Sequence, residues 1–515
     1  MKMMLKKSVS VLLVLVTLFG MLSMSAAAAT TYENDLPTVY LVGATQTVYK
    51  NGKQVWPVKE GIDEILLDNR NELLSAFTSS LMSSDWSIYG DALGETLDKY
   101  YSAGRLDNNG NPKKGTDIKH SKTPTEKTSN FGLKDYMFNY DPRLDPWETA
   151  VELKEYIDDV LAVTGKKKVN LIGRCMGACF ISAYLCRYGR SKVDTVIYYA
   201  SAAKGSKICS ELFSGKLNFD TATINNYASE YMGDDEISAL LGAIVNVTYT
   251  LNMLGMGTDF ASDIFEQLSV EVFPDLLRRT YANMPSYWAM VGEDDYEDAK
   301  NYIFGGYEEE YAGLIKKIDN YHNKVKVPLD KKLKQYRSDG MKIAVIAKYN
   351  VPFLPLIESS NVQADGKVDI TETSFGATAA EYGKTFTVDY LNEAKEKGTI
   401  DYVSDDLIVD ASSCLFPNMT WFIRDIDHSE IPKVIDTLML KILRSKGQKS
   451  VRSFEEYPRF TSYDSETGKL TPITGTIPSG TTGNEGGGLS NLLSVFSSFF
   501  TIILNVIKLL IKQTV

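Results

Sequence analysis

The chain has 515 residues, of which 44% are hydrophobic and 23% charged, so it can bury a large core and has an ordinary globular composition. Its formal net charge of -11 argues against nucleic acid as the main partner. Five cysteines, an odd and low number, argue against a disulfide-dense scaffold.

Residues 1–29 have the pattern of a secretory signal peptide. Lysines at positions 2, 6 and 7 precede an apolar run at 9–22, and alanines occupy positions 26–29. The run is too short to be interpreted first as a membrane span, and the alanines provide an A-x-A type cleavage site. We therefore expect a secreted or extracellular protein.

The elements that follow predict an α/β fold with parallel strands. Apolar runs at 37–42 and 136–140 predict two strands. The helix after the second strand should be capped by Asp145 and should end at Gly165. The next strand, at 169–172, completes a βαβ unit, which implies a right-handed crossover.

The pattern G-x-C-x-G at 173–177 lies between that strand and a segment with helical periodicity. It matches a nucleophile elbow, in which glycines let the backbone pass close to a strained central residue. We expect the Cys175 sulfur at the top of the sheet, where the helix N-terminus favours a thiolate. The N–H groups of Met176 and of Ala44 or Thr45 would bind an oxyanion. A small buried cysteine in an ordinary turn is the alternative.

Two further buried strands, VDTVIYYA and KIAVIA, are separated by a long region of mostly helical pattern. A doubly wound sheet does not need such a connection. We interpret 204–340 as a helical cap over a sheet core formed by 30–203 and 341–445. Its apolar segment at 237–256 would suit an acyl chain, although core packing explains it equally well.

His428 is the last of three histidines and lies in a loop after a strand predicted at 420–423. In enzymes with a nucleophile elbow, the acid and then the histidine follow the nucleophile along the chain. His428 should therefore reach the same sheet edge as Cys175, with a carboxylate holding its Nδ1–H. The candidate acids, in order of preference, are Asp406, Asp410 and, as weaker alternatives, Asp365 and Asp369. No metal or cofactor is predicted.

The chain resembles a secreted bacterial α/β-hydrolase of the lipase class, similar in layout to the lecithin:cholesterol acyltransferase and lysosomal phospholipase group. The resemblance rests on PTVYLVG, FNYDPRLDPWETA, KVNLIGRCMGA, ASAAKGS, MPSYWAM, VSDDLIVDASS and DIDHSEIP, in that order. It implies an α/β-hydrolase fold, a mostly parallel sheet flanked by helices, with a large, mainly helical cap insertion.

The nucleophile position departs from the lipase pattern. Such lipases have serine there, commonly preceded by histidine, whereas this chain has Cys175 preceded by Arg174. Cysteine at the elbow resembles polyhydroxyalkanoate synthases and dienelactone hydrolases. Arg174 could contact a substrate anion, but a solvated arginine at the turn is the simpler interpretation.

The C-terminal region predicts a polar linker at 446–488 and an amphipathic helix at 489–515. In the latter, a narrow polar stripe interrupts Leu, Ile, Val and Phe. An interfacial membrane helix, a tilted span and an oligomerisation helix all fit this pattern. Membrane-surface association is favoured because the stripe is weakly charged and the stretch is barely long enough to span.

Together these patterns predict an exported acyl hydrolase, lipase- or esterase-like, that acts on ester or thioester bonds of lipid-like substrates. Cys175, His428 and Asp406 would form the triad, with an acyl-Cys intermediate. An acyltransferase with the same intermediate is the first alternative. The second is a catalytically silent, cell-surface lipid-binding protein on the same fold.

Overall fold

The computed structural model describes residues 34–44, 46–58, 65, 68–218, 257–354 and 357–475. The predicted signal peptide, the apolar cap segment at 237–256, the predicted helix at 489–515 and Thr45 lie outside these residues. Within the described ranges, every helix is too short or too polar to cross a membrane.

The described residues contain thirteen β-strands in three sheets. In chain order they are β1 (Thr38–Leu41), β2 (Val48–Lys50), β3 (Lys53–Trp56), β4 (Thr116–Ile118), β5 (Tyr136–Met137), β6 (Val169–Cys175), β7 (Val193–Ser201), β8 (Lys342–Tyr349), β9 (Thr378–Ala379), β10 (Val409–Asp410), β11 (Thr420–Arg424), β12 (Phe460–Asp464) and β13 (Lys469–Pro472). Eight form the main sheet, in the order β13-β12-β11-β8-β7-β6-β1-β5. All neighbours are parallel except β12 and β13. The predicted α/β class with a mostly parallel sheet is confirmed.

Helices cover both faces of this sheet. They are α1 (Arg70–Ser83), α2 (Ser87–Tyr101), α3 (Pro146–Thr164), α4 (Gly177–Tyr188), α5 (Lys207–Ser214), α6 (Gly257–Glu271), α7 (Phe273–Arg279), α8 (Pro285–Trp288), α9 (Tyr296–Phe304), α10 (Ala312–Tyr321), α11 (Leu329–Ser338), α12 (Ile370–Thr373), α13 (Val388–Glu396) and α14 (Lys433–Arg444). β8 is buried along its whole length, which explains its apolar run at 343–347.

The described part of the predicted cap contains α5 to α11 and no strand of the main sheet. Leu314 of α10 and Tyr287 of α8 belong to the same buried cluster as Phe180 of α4. The Tyr321 hydroxyl donates a hydrogen bond to the Cys179 carbonyl at 3.4 Å. The helical region therefore shares a core with the sheet layer, and its division into a separate domain stays a prediction.

The boundaries of α3 follow the predicted signals. The Asp145 carboxylate accepts a hydrogen bond from the Trp147 N–H at 2.9 Å, and Pro146 occupies the first turn. Gly165 ends the helix in a left-handed conformation, with φ of 66°. The expected cap and stop are confirmed because both depend on residues next to each other in sequence.

The sheet extends beyond the strand predicted at 420–423. Within the predicted linker, β12 pairs in parallel with β11, and β13 forms a hairpin with β12. The ring of Phe460 stacks on that of Phe422 with centroids 5.3 Å apart. The linker prediction is wrong for residues 460–472, because edge strands need only a few apolar residues among many polar ones.

Replacing the cap of α3 tests the importance of this helix start. Asp145→Ala removes the acceptor for the Trp147 N–H, so we expect the free energy of unfolding to fall by about 1 kcal/mol. Asp145→Asn keeps an acceptor oxygen and should cost less. Urea unfolding of both variants measures the difference, and equal losses would contradict this role of the side chain.

Candidate active site

The chain turns from strand to helix at Cys175. β6 ends at this residue and α4 begins at Gly177. Cys175 has φ of 52°, in the left-handed region that non-glycine residues seldom occupy. The turn brings its partly exposed side chain to the carboxyl edge of the sheet, at the N-terminus of α4. The predicted strand-to-helix turn is confirmed.

Both glycines of the turn are required by close backbone packing. A Cβ atom on Gly173 would lie 2.7 Å from Cα of Ala178. A Cβ atom on Gly177 would lie 2.7 Å from the carbonyl oxygens of Leu41 and Val42, at the end of β1. The G-x-C-x-G pattern therefore lets β1, β6 and α4 approach one another closely enough to form the turn.

His428 contacts Cys175 from the loop after β11. Its Nδ1 lies 2.7 Å from Oδ2 of Asp365, and its backbone N–H donates to the Asp365 carbonyl at 2.8 Å. The imidazole and the Cys175 thiol line the same cavity and are close enough to shift each other's pKa. The structure thus brings the predicted cysteine and histidine together, with a carboxylate behind the histidine.

Asp365 is held rigidly in the loop that follows β8. Its side chain is fully buried, and Oδ1 accepts the N–H groups of Lys367 at 3.1 Å and Val368 at 2.8 Å. Its own N–H donates to the Val368 carbonyl at 3.1 Å. One carboxylate oxygen is therefore satisfied by the backbone, and the other faces the imidazole.

The first and second choices for the acid are wrong. The Asp406 carboxylate accepts hydrogen bonds from the Tyr349 hydroxyl at 2.9 Å and from Arg424 at 3.1 Å. Asp410 accepts from the Tyr390 hydroxyl at 2.9 Å. These carboxylates are committed to other partners: Asp406 binds the last residues of β8 and β11, and Asp410 binds a residue of α13.

Asp369, the remaining alternative, caps two helices. Its carboxylate accepts the N–H groups of Lys207 at 3.0 Å and Glu372 at 3.1 Å. Asp365 was available as a weaker alternative in the sequence. The signal that favours it is an Asp-Gly turn in the first loop after β8, at the sheet edge where Cys175 lies.

The charges of the site favour a thiolate–imidazolium pair. Burial disfavours the Cys175 thiolate, but His428, the Met176 N–H and Arg174 outweigh it and lower the pKa of the thiol. Burial also disfavours a charged His428, yet Asp365 and Cys175 raise its pKa to about 9. The pKa of Asp365 is lowered, because His428 and Lys348 overcome the effect of its burial.

The other four cysteines lack this environment. All five thiols are free. Burial raises the pKa of Cys179 and of Cys186 to about 11 and that of Cys414 to about 12, and it raises the pKa of Cys209 further. Cys175 therefore stands apart as the thiol most easily ionised.

The Met176 N–H helps to lower the pKa of Cys175, so one of the predicted oxyanion donors lies next to the sulfur. The loop that contains Gly43 lies close to the same sulfur, since a Cβ atom on Gly43 would be 3.3 Å from Sγ of Cys175. The Tyr140 hydroxyl fixes this loop by donating to the Val42 carbonyl at 2.6 Å. Ala44 faces the same cavity, and whether its N–H or that of Thr45 donates stays a prediction.

A cavity of about 230 Å³ opens at Cys175. Its apolar walls come from α5, from the end of α8 and from the Asp365 loop. The lining residues are Gly43, Ala44, Arg174, Cys175, Met176, Ser206, Ile208, Cys209, Met290, Lys367, Val368, His428 and Ser429. The lining combines apolar side chains with the charged side chains of Arg174 and Lys367.

A larger groove of about 1180 Å³ lies between α3, α9 and α10. Charged side chains such as Glu148, Arg187 and Lys317 line it, without any cysteine or histidine. It therefore offers no nucleophile and no general base. Among the described residues, no three His, Cys, Asp or Glu side chains group as metal ligands.

Comparisons with known proteins add little to this geometry. Neither a protein-family model nor a curated protein matches the chain. The chain is similar to one in "The crystal structure of Tle4-Tli4 complex", with 15% identity over 36% of this chain and 48% of that one. The chain thus spans about half the length of that protein. The TM-score of 0.19 is too low to carry an argument.

Alkylation should distinguish the environment of Cys175 from those of the other thiols. We expect iodoacetamide at neutral pH to modify Cys175 first, because its pKa is lowered and the other four are raised. His428→Asn should move the pH midpoint of the reaction upward, towards the ordinary thiol value of about 8.5. His120→Asn, in an exposed loop, is the matched control.

Peptide mapping by mass spectrometry identifies the alkylated cysteine. Equal labelling of several cysteines in the folded protein would contradict this assignment. So would a midpoint that His428→Asn leaves unchanged.

Proposed function

We propose that this protein is an acyl hydrolase of the α/β-hydrolase type, which cleaves ester or thioester bonds through an acyl-Cys intermediate. The observation that carries the proposal is the chain of contacts from Cys175 to His428 to Asp365 at a nucleophile elbow. The order of these residues along the chain is the one expected for such enzymes.

In the proposed reaction, the Cys175 thiolate attacks the carbonyl carbon of the substrate. The developing oxyanion accepts the Met176 N–H and an N–H of the Gly43 loop. When the tetrahedral intermediate collapses, the ester or thioester bond breaks and His428 gives its proton to the leaving alcohol or thiol. The acyl group is then held as a thioester on Cys175.

Water completes the cycle. His428 takes a proton from a water molecule, whose oxygen attacks the acyl-Cys carbonyl. The second tetrahedral intermediate releases the carboxylic acid and restores the thiolate–imidazolium pair. Asp365 supports both steps by holding Nδ1 of His428, which fixes the ring orientation and stabilises the imidazolium.

The walls of the Cys175 cavity favour an apolar acyl group. Ile208, Met290 and Val368 contribute side chains without charge. A lipid-like substrate, export through residues 1–29 and membrane-surface association through 489–515 are proposed from the sequence alone, since the last two segments lie outside the described residues.

Hydrolysis of p-nitrophenyl butyrate and of a butyryl thioester by the purified protein tests the proposal. Cys175→Ala should abolish turnover because the nucleophile is lost, and mass spectrometry of the wild type should detect an acyl adduct on Cys175. Cys414→Ala, which removes a buried thiol outside the cavity, should retain turnover. Full esterase activity in Cys175→Ala, or no turnover of either substrate by the wild type, would contradict the proposal.

The identity of the acid can be tested separately. Asp365→Asn should lower kcat/KM by roughly a hundredfold or more, because His428 loses the carboxylate that orients it. Asp410→Asn keeps an oxygen acceptor at a site that does not contact His428, so its activity should stay near that of the wild type. If Asp410→Asn lowered kcat/KM more than Asp365→Asn did, the acid would have to be sought in the segment at 404–413 instead.

A further inference from the structure

Two buried cations hold the backbone that carries His428. The Lys348 ammonium donates hydrogen bonds to the carbonyls of Asp427 at 2.9 Å, His428 at 3.1 Å and Glu430 at 2.7 Å. Nη2 of Arg174 donates to the carbonyls of His428 at 2.8 Å and Ser429 at 3.2 Å. Four consecutive carbonyls, from residue 427 to residue 430, thus converge on two positive charges.

Burying the Lys348 ammonium costs free energy, which argues against a purely structural role for this residue. It lies on β8 with its side chain fully buried, and its ammonium is 4.9 Å from the centroid of the Tyr199 ring. Among the described residues it forms no direct ion pair, and its three donors are used by three carbonyls. Burial lowers its pKa to about 8, although Asp365 acts in the opposite direction. A buried charge without an ion-pair partner is costly, and the three carbonyls that Lys348 binds all belong to the loop that carries His428.

Arg174 has a matching position on β6, directly before the elbow cysteine. Its side chain is buried rather than solvated, so the simpler interpretation made from the sequence is wrong. Arg174 helps to lower the pKa of Cys175, and Lys348 helps to lower the pKa of Asp365. Each cation therefore supports one of the two anions that face His428.

We propose that Lys348 and Arg174 are positioning residues, which keep the His428 imidazole in contact with both Cys175 and Asp365 by gathering the carbonyls of residues 427–430. This inference rests on the proposed function for its effect on turnover, but its effect on the thiol is independent of turnover. Without the cations, the carbonyls of His428 and Ser429 lose the donors described above, whereas those of Asp427 and Glu430 keep the Glu430 N–H and the Tyr199 hydroxyl. The loop segment at His428 therefore has to rearrange. A shift of about 1 Å in a catalytic group can cost a hundredfold in rate.

The test compares Lys348→Met with Lys326→Met. Lys326 is a matched control because it too is buried, donates to two backbone carbonyls, Ala203 at 3.1 Å and Lys204 at 2.8 Å, and has a pKa lowered by burial to about 8. It does not contact the His428 loop. Both variants lose a buried cation, so a general loss of stability should affect them alike.

The first readout is the rate of Cys175 alkylation by iodoacetamide as a function of pH. In Lys348→Met the midpoint should move upward, because His428 no longer stays against the sulfur, whereas Lys326→Met should keep the wild-type profile. The titratable and charged groups that face Cys175 or Lys348 are Tyr140, Arg174, Cys179, Tyr199, Cys209, Tyr287, Asp365, Asp427, His428 and Glu430. All of them are unchanged in the two variants.

The second readout is ester hydrolysis. Lys348→Met should lower kcat by about tenfold or more and leave KM within about threefold, because the substrate cavity is not lined by Lys348. If Lys348→Met does not fold, Lys348→Gln, which keeps two donors without the charge, should give a smaller upward shift of the alkylation midpoint. Arg174→Met should shift the midpoint in the same direction.

An unchanged alkylation profile in Lys348→Met or Lys348→Gln would overturn the inference. Equal shifts in the Lys348 and Lys326 variants would do the same, because they would indicate a general effect of stability. A wild type without turnover, combined with a shifted profile in Lys348→Met, would contradict the proposed function and leave the positioning role intact.

Discussion

The left-handed backbone of Cys175 is the constraint on which the rest of the site depends. A residue with a side chain is strained there, and the strain persists only because the surrounding structure fixes it. Gly173 and Gly177 allow β1 and α4 to pack against the turn at distances that no side chain would permit. The same packing brings the Gly43 loop and the Met176 N–H, directly before α4, close to the sulfur. The strained turn therefore places the proposed nucleophile next to its proposed oxyanion donors.

The remaining members of the site reach Cys175 through contacts between distant loops. Asp365 follows β8 and His428 follows β11, and parallel strands bring both loops to one edge of the sheet. Two hydrogen bonds between Asp365 and His428, one from the backbone and one at the ring, then fix the imidazole. The charges alternate along this path, from thiolate to imidazolium to carboxylate. Each buried charge therefore has an opposite neighbour, which offsets the cost of its burial.

Lys348 and Arg174 add two buried positive charges, which bind the backbone of the loop that carries His428. Backbone carbonyls rather than carboxylates accept their hydrogen bonds, so the loop is held without another acid that would compete for His428. The Arg174 side chain binds this loop and also lines the cavity at Cys175, so the cavity combines apolar side chains with a cation.

The sequence by itself determined the features that depend on neighbouring residues: the parallel α/β pattern, the cap and stop of α3, the turn at Cys175 and the loop position of His428. Tertiary structure alone decided which of several acids meets the imidazole, because Asp365, Asp406 and Asp410 all lie between β8 and β11 in the sequence. It also decided that β12 and β13 join the sheet, since the polar residues of an edge strand resemble those of a linker. Local patterns fix turns and helix ends by short-range sterics, whereas the pairing of side chains far apart in sequence depends on how the whole core packs.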